Sequence, residues 1–298
     1  RPITDPMDTG CRTHGGRHRP GLGIVADNVA AFHARPGFQV LEATGPHLWF
    51  LILNTRDGPL ADVRVRRALD LAIDRTSLVR DVLRNTAERA QGPIPRAFQW
   101  AFDPALPAAV QDRDQARALL AAAGYPAGLK LHFLVPRGGS GMLAPLAMAT
   151  AIQGDLARVG IDAAIESYEW NAYLARVNAG LDTNADMAAM AWMTNDPDTL
   201  PYLALRCAAW PQQGGFNSGY YCNPRVDELI ERARQTAQRD QRARLYHALA
   251  RQVQQDIPWI VVASWRQNLV AQQRVRGLRL EPSFFLRLDQ AWKQGLDE

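Results

Sequence analysis

The sequence lacks the long apolar segments and catalytic motifs that mark membrane spans and many enzymes. Its 298 residues contain no run of about 18 apolar residues, roughly the length that a membrane-spanning helix requires. They also contain no His-Glu-x-x-His, Gly-x-Ser-x-Gly or phosphate-binding loop motif. These absences argue against a membrane span and against three common enzyme classes, and we expect no catalytic residue.

Lysine is almost absent, since only Lys130 and Lys293 occur among the 34 basic residues. The net charge is +4, but the arginines are spread over many segments without a stripe that combines them with aromatics. We therefore expect no nucleic-acid partner. The six histidines include only one pair at metal-ligand spacing, His14 and His18. We expect neither a metal nor a cofactor.

Cysteine is also scarce, and the count of three leaves at least one thiol unpaired. Cys207 and Cys222 flank one glycine-rich loop. Their spacing is equally compatible with a disulfide and with two buried thiols. A disulfide that closes a loop of about 15 residues contributes roughly 3 kcal/mol to stability.

What the chain does contain is an alternation of strand and helix patterns. Residues 38–53, 129–135, 161–168, 185–192 and 257–264 are apolar or alternating and predict strands. Helices are predicted after Asp62, over 112–123, 142–159 and 170–178, after Asn223-Pro224, and after Asp240. This order predicts an α/β fold in which helices flank a mixed sheet.

The segment Met190–Asp198 is the strongest candidate for a binding site. A strand there delivers Trp192 and then the polar Asn195 and Asp196, and ligand sites of α/β sheets lie at such strand ends. The alternative is structural: Trp192 belongs to the core, and Asp196 or Asp198 only caps a helix.

Three ordered segments resemble the dipeptide-, oligopeptide- and nickel-binding proteins of ABC importers. The first is Asn54–Leu69 with the following Ala72-Ile73-Asp74-Arg75, which resembles the family's Asp-x-Arg-Val-Arg-x-Ala and Asp-Arg signature. The second, Trp192–Asp198, resembles the family's ligand loop. The third, from Cys207 through Cys222 to Ile230, resembles its disulfide loop and following helix.

The resemblance covers about residue 26 to the end and implies a periplasmic-binding-protein-like fold of two lobes. Residues 1–54 are then a partial first lobe, of which 1–25 are aberrant, residues 55–263 the second lobe, and residues 264–298 a return segment. The first lobe is incomplete. The resemblance also implies a disulfide between Cys207 and Cys222.

The family's ligand-binding positions are only partly matched. The aspartate that holds a peptide's amino terminus falls on Asn195, or is displaced to Asp196, and an asparagine forms no ion pair. The resemblance, together with the two strands that resemble hinge crossings, implies a ligand set of Trp192, Met193, Asn195, Asp196, Trp49 and Trp265.

The function that the resemblance implies is capture of a peptide or other small polar solute for ABC permease subunits. The implied protein is a monomer in the bacterial periplasm, although this chain carries no export signal. Two alternatives are a sensory solute receptor, which shares the same binding physics, and a hydrolase that uses Asp196 or Asp198 as a base.

The start of the chain departs from the family pattern. Residues 1–6 and 24–27 resemble the family's first lobe, but residues 8–20 replace an apolar helix and a turn with a Gly-, His- and Arg-rich stretch. We hypothesise a local reading-frame shift, which would make the chain a fragment with little binding ability of its own.

Overall fold

The computed structural model describes residues 21–22, 26–182, 185–283 and 285–295. The hypothesis of a frame shift in residues 8–20 and the His14–His18 pair lie outside the described residues. Within them, none of the helices has the length and apolar character needed to cross a membrane.

The described chain alternates strands and helices. The strands are β1 (Gly21–Leu22), β2 (Phe38–Thr44), β3 (His47–Leu53), β4 (Ala87–Arg89), β5 (Leu129–Pro136), β6 (Ile161–Tyr168), β7 (Met187–Met193), β8 (Trp259–Gln272), β9 (Val275–Arg276), β10 (Arg279–Leu280), β11 (Leu286–Arg287) and β12 (Trp292–Lys293). The helices are α1 (Ala26–His33), α2 (Val63–Ala72), α3 (Arg75–Ser77), α4 (Arg113–Ala122), α5 (Pro145–Ala157), α6 (Trp170–Asn178), α7 (Thr199–Ala204), α8 (Pro224–Gln235) and α9 (Arg239–Asp256). A π-helical turn, Leu78–Val82, follows α3.

The principal sheet is mixed and has the order β1-β8-β3-β7-β5-β6. Strand β5 runs parallel to β6 and β7, whereas β3 runs antiparallel to β7 and β8. Strands β2 and β4 also pair with β8. This mixed sheet with flanking helices confirms the predicted fold class.

Strand β3 lies at the centre of the core, and each of its residues is buried. Because side chains alternate across a sheet, Trp49, Leu51 and Leu53 join one apolar cluster and the residues between them join a second. Helices α2, α4 and α5 contribute to the first cluster, and α6 to α9 contribute to the second. The molecule therefore has helical layers on both faces of the sheet.

Side-chain caps start three helices where the sequence predicts them. Asp62 accepts a hydrogen bond from the backbone N–H of Arg64 at 2.8 Å, and Asp112 accepts one from that of Gln115 at 2.9 Å. Asn223 accepts one from Arg225 at 2.9 Å, with Pro224 in the first helical turn. Each bond satisfies a backbone donor that the helix itself leaves unpaired.

Several element boundaries differ from the prediction. Helix α9 begins at Arg239, before the predicted cap Asp240, and Gln238 at its N-cap makes no side-chain capping bond. Residues 38–53 form two strands, because Gly45-Pro46 interrupts the run, and β8 continues to Gln272 because β2 pairs with its second half. Helix α5 begins at Pro145 rather than at residue 142, since Leu143 adopts a left-handed φ of 59°. Partner strands and left-handed turns depend on tertiary contacts that local periodicity does not report.

Candidate functional site

The carboxyl ends of β5, β6 and β7 meet at one edge of the sheet, because these strands are parallel. We call this region the carboxyl edge; it comprises the ends of these strands and the residues that directly follow them. His47, at the start of the antiparallel β3, pairs with Met193 and so lies at the same edge. In α/β sheets, ligands bind outside the carboxyl ends of the strands.

An apolar wall at this edge is formed by Trp192 and Phe216. The rings of Trp192 and Phe216 meet edge to face, with centroids 5.4 Å apart and an interplanar angle of 81°. Phe216 is 38% exposed, whereas Trp192 packs partly against the second core cluster. Met193 is 40% exposed, but it follows Trp192 in β7 and so points to the opposite face of the sheet. Trp192 is thus held by the core, while Phe216 exposes apolar surface to solvent. This arrangement suits the wall for contact with an apolar ligand group.

Phe216 is a site residue that the sequence reasoning missed. It lies in the glycine-rich loop between Cys207 and Cys222, which form a disulfide as the family resemblance implied. The buried Asn217 secures the loop, donating to the backbone carbonyls of Arg206 at 2.9 Å and Tyr221 at 2.7 Å. The sequence does show an aromatic residue inside a loop that two cysteines flank. It does not show that this loop contacts β7, because the contact joins residues that are distant in the sequence.

The two acidic residues after β7 form part of the scaffold. Asp196 accepts a hydrogen bond from the backbone N–H of Asp198 at 2.8 Å and lies 3.4 Å from the guanidinium of Arg242. Asp198 is buried, and its carboxylate lies 2.5 Å from Arg234. Burial raises the pKa of Asp198, an effect opposed by Arg234 and reinforced by Asp196. These pairings stabilise the turn before α7 and give no support to a general-base role.

Asn195 is exposed between this paired turn and the apolar wall. Its amide can both donate and accept hydrogen bonds. It carries no charge, so the position cannot form an ion pair with an ammonium group. Of the residues that the sequence predicted as ligand contacts, the carboxyl edge thus brings together Trp192, Met193, Asn195 and the partly exposed Asp196.

His47 is a second feature of the edge that sequence reasoning missed. It is buried; its Nδ1 accepts from the backbone N–H of Trp265 at 3.0 Å, which assigns the ring proton to Nε2. Nε2–H then donates to the carbonyl of Gly141 at 2.8 Å. Burial lowers the pKa of His47 to about 4, against the opposing effect of the Gly141 carbonyl. The neutral ring therefore ties β8 to the loop after β5.

Gly141 permits this contact. Its φ is +72°, a conformation that residues with a Cβ rarely adopt. A Cβ at this position would lie 3.2 Å from His47 Nε2. The loop therefore approaches the edge closely at a position that disfavours any larger residue.

The two tryptophans on the predicted hinge strands have different surroundings. Trp265 is partly exposed, and its ring lies edge-on to His47 with centroids 6.3 Å apart. Trp49 is 0% exposed and packs in the first core cluster. This corrects the expectation that Trp49 faces a cleft: its position in β3 directs the ring into the core, where it offers no surface to a ligand.

No group of three His, Cys, Asp or Glu side chains in the described parts of the chain could hold a metal ion. The functional features of the carboxyl edge are therefore an aromatic wall, an exposed amide and backbone groups. Such groups are of the kind that line solute-binding sites.

A mixed sheet with helices on both faces is the architecture of periplasmic-type solute-binding folds, and the comparisons with known proteins agree with it. The sequence pattern described as "Bacterial extracellular solute-binding proteins, family 5 Middle" matches residues 22–212. The chain belongs to this family, whose members bind solutes and are not enzymes.

Two relatives illustrate the range of the family. Di/tripeptide-binding protein 2 of Pseudomonas aeruginosa is 30% identical over 258 residues, which cover 86% of this chain and 47% of that protein. Heme-binding protein A of Haemophilus influenzae is 29% identical over 259 residues, covering 87% of this chain and 46% of that protein. The chain thus spans about half the length of the curated relatives it matches.

Solved structures show the same architecture. HbpA2 from Haemophilus parasuis superposes with a TM-score of 0.84 at 27% identity, over 91% of this chain and 53% of that one. The periplasmic binding protein DppA from Helicobacter pylori, solved in complex with the peptide STSA, has a TM-score of 0.76 at 25% identity, over 90% and 52%. The predicted periplasmic-binding-protein-like fold is confirmed.

Proposed function

We propose that this chain is the ligand-holding portion of a solute-binding protein that captures a peptide or another small polar solute for an ABC permease. The observation that carries the proposal is the partly exposed apolar wall of Trp192 and Phe216, followed in the chain after β7 by the exposed amide of Asn195. Family membership supports it, as do the peptide-binding names of relatives. The protein acts in the bacterial periplasm and as a monomer.

The site favours ligands that present an apolar group and neutral hydrogen-bonding groups. An aromatic or aliphatic side chain packs on Trp192 and Phe216, and main-chain amides bond to Asn195 and to backbone groups at the end of β7. The nearest carboxylate, Asp196, is already paired with Arg242. Recognition of a charged amino terminus at this position is therefore weaker than recognition of a neutral or blocked one.

We also propose a division into two lobes, with residues 264–298 and the chain before β3 in the first. Strand β3 pairs with β7 and β8 inside the sheet of the second lobe, so the first boundary lies near Gly45-Pro46 rather than after residue 54. The chain crosses between them at Gly45-Pro46 and at Ser264-Trp265, where the partner of β8 changes from β3 to β2. Two adjacent crossings form a hinge, and a ligand that contacts both lobes favours the closed arrangement by its differential affinity.

The test is calorimetric titration of the chain with amino-terminally free and blocked di- and tripeptides. We expect weak but saturable binding, in keeping with the little binding ability expected of this chain alone, and Trp192→Ala should weaken it by about tenfold or more, as truncation of a central aromatic contact does. Trp292→Ala is the matched control, because Trp292 is 58% exposed and lies on β12, outside the carboxyl edge. Absence of saturable binding, or equal loss in both variants, would contradict the proposal.

A further inference from the structure

A second concave region lies on the opposite side of β8 from the carboxyl edge. Ala263 of β8 pairs with Trp49 of β3 and with Arg89 of β4, so β3 and β4 occupy opposite edges of that strand. Beyond β4 lies a cavity of about 540 Å³. We call it the arginine cavity, because its charged lining residues are Arg75, Arg80, Arg89, Arg96, Arg266 and a single carboxylate, Glu88.

The arginines reach the cavity from separate segments. Arg75 lies in α3, Arg80 in the π-helical turn, Arg89 in β4 and Arg96 in the loop beyond it, and Arg266 begins the part of β8 that pairs with β2. The backbone N–H of Arg266 donates to Thr86 at 3.0 Å, which fixes β8 against the residues before β4. Because these cations come from different elements, and Arg266 from a distant strand, they line a concave surface rather than one solvated helix face.

Two of these cations are uncompensated. Within residues 26–182, 185–283 and 285–295, no carboxylate lies within 4.0 Å of the guanidinium of Arg89 or Arg266. Arg89 donates to the Thr76 hydroxyl at 3.3 Å, a neutral partner. Arg75, in contrast, is buried and bonded to Asp70 at 2.5 Å, so it serves the scaffold.

Two further arginines can turn to a ligand with little loss of stability. Arg80 pairs with Asp81, and both side chains are more than half exposed. Arg96 lies 3.7 Å from Glu88 and is 54% exposed. Exposed ion pairs contribute little to stability, so these guanidinium groups can turn towards a bound anion. Arg80, Arg89, Arg96 and Arg266 then provide forked donors that match phosphate and carboxylate oxygens.

We propose that the arginine cavity is a binding site for a small multivalent oxyanion, a phosphate compound or a polycarboxylate with at least two negative charges. The volume lies within the range of small-molecule sites. A bound anion relieves the mutual repulsion of the clustered cations, whereas a neutral peptide gains nothing from them. The site is separate from the carboxyl edge and does not depend on the proposed transport function.

The test uses the whole chain and two probes, pyrophosphate and citrate, in calorimetric titrations at constant ionic strength. We expect saturable binding of at least one probe, and the stronger of the two identifies phosphate or polycarboxylate chemistry. The double variant Arg89→Gln/Arg266→Gln removes the uncompensated cations and should weaken binding by about tenfold or more, as loss of charge-assisted hydrogen bonds does.

The matched control is Arg225→Gln/Arg232→Gln, which removes two exposed arginines that pair with Glu228 on α8. This variant should bind the probes like the parent chain. Equal weakening in both double variants would mean general ionic attraction and would overturn the site, as would a parent chain that binds neither probe saturably. Circular dichroism monitors folding, and Arg266→Lys, which retains charge but loses the fork, should bind less tightly than the parent.

Discussion

The carboxyl edge and the arginine cavity lie on opposite sides of the paired strands β3 and β8, and they differ in which side-chain groups remain available to a ligand. At the carboxyl edge the acidic groups are paired within the protein, Asp198 with Arg234 and Asp196 with Arg242, and the ring of Phe216 is exposed. At the arginine cavity, in contrast, the guanidinium groups of Arg89 and Arg266 have no carboxylate within 4.0 Å among the described residues. The comparison indicates which ligand chemistry each region can accept. The exposed apolar groups of the carboxyl edge suit an apolar ligand group, and the guanidinium groups of the arginine cavity suit an anion.

The largest expected effect is on stability, and it tests whether Trp49 belongs to the core or to the binding surface. Trp49→Ala should lower the free energy of unfolding by about 3–5 kcal/mol, because it empties a large volume in the core. Trp49→Phe is the control and should cost less, since the indole Nε1 has no hydrogen-bond partner among the described residues. Urea denaturation measures both. If Trp49→Ala left stability unchanged but abolished solute binding, Trp49 would belong to the binding surface after all.

The disulfide tests how the apolar wall is held. Cys207→Ser/Cys222→Ser should destabilise the chain by roughly 3 kcal/mol, because it releases a loop of 15 residues. It should also weaken solute binding, since Phe216 lies in that loop. Cys11→Ser removes the third thiol and serves as control. Oxyanion binding at the arginine cavity should persist in the double variant, and its loss would show that the two regions are not independent.

A pH dependence follows from His47. Its folded-state pKa of about 4 lies below the ordinary 6.5, so between these values the unfolded chain binds a proton that the folded chain does not. Stability should therefore be complete above pH 6.5 and fall by up to about 3 kcal/mol as the pH drops to 4. Chemical denaturation across this range measures the slope.

The variant His47→Gln isolates this contribution, because glutamine does not titrate. It should be less stable at neutral pH, yet its stability should fall less steeply between pH 6.5 and 4. His33→Gln, at an exposed position of α1, should keep the slope of the parent chain. An unchanged slope in His47→Gln would show that other groups cause the acid sensitivity.

The smallest effect concerns the single carboxylate of the arginine cavity. Glu88→Gln should tighten oxyanion binding by about twofold to fivefold, because it removes the carboxylate that competes with the anion for Arg96. The gain should be small, since the ion pair between Arg96 and Glu88 is partly exposed and therefore weak. Stability should change by no more than about 0.5 kcal/mol. Titration with pyrophosphate measures the gain. Glu231→Gln on α8 is the control, and weaker binding by Glu88→Gln would mean that Glu88 orients the arginines rather than competing for them.

Local sequence predicted the features that depend on neighbouring residues. The apolar run of β3 and the caps at Asp62, Asp112 and Asn223 follow from periodicity and backbone hydrogen bonding within a few residues. The disulfide needed the family resemblance, because spacing alone was compatible with free thiols. Trp192 and Met193 were found because they end a strand that is visible in the sequence.

Contacts between distant segments were not predictable in this way. Phe216 reaches Trp192 through the disulfide loop, and His47 meets Gly141 and Trp265 only because the sheet brings β3, β5 and β8 together. Four of the cavity arginines lie within residues 75–96, but only the pairing of β4 with β8 brings Arg266 to them. Trp49 was assigned to a cleft because sequence does not report which face of a buried strand meets solvent.

The sequence by itself determined the class of the protein, its alternating strands and helices, and the strand end that carries the aromatic wall, since each depends on short-range pattern or on motifs in order. Only the tertiary structure decided which tryptophan is core and which is surface, and which charges remain unpaired. Burial and ion pairing are set by the packing of segments more than a hundred residues apart, such as β3 and β8, and no local pattern encodes them.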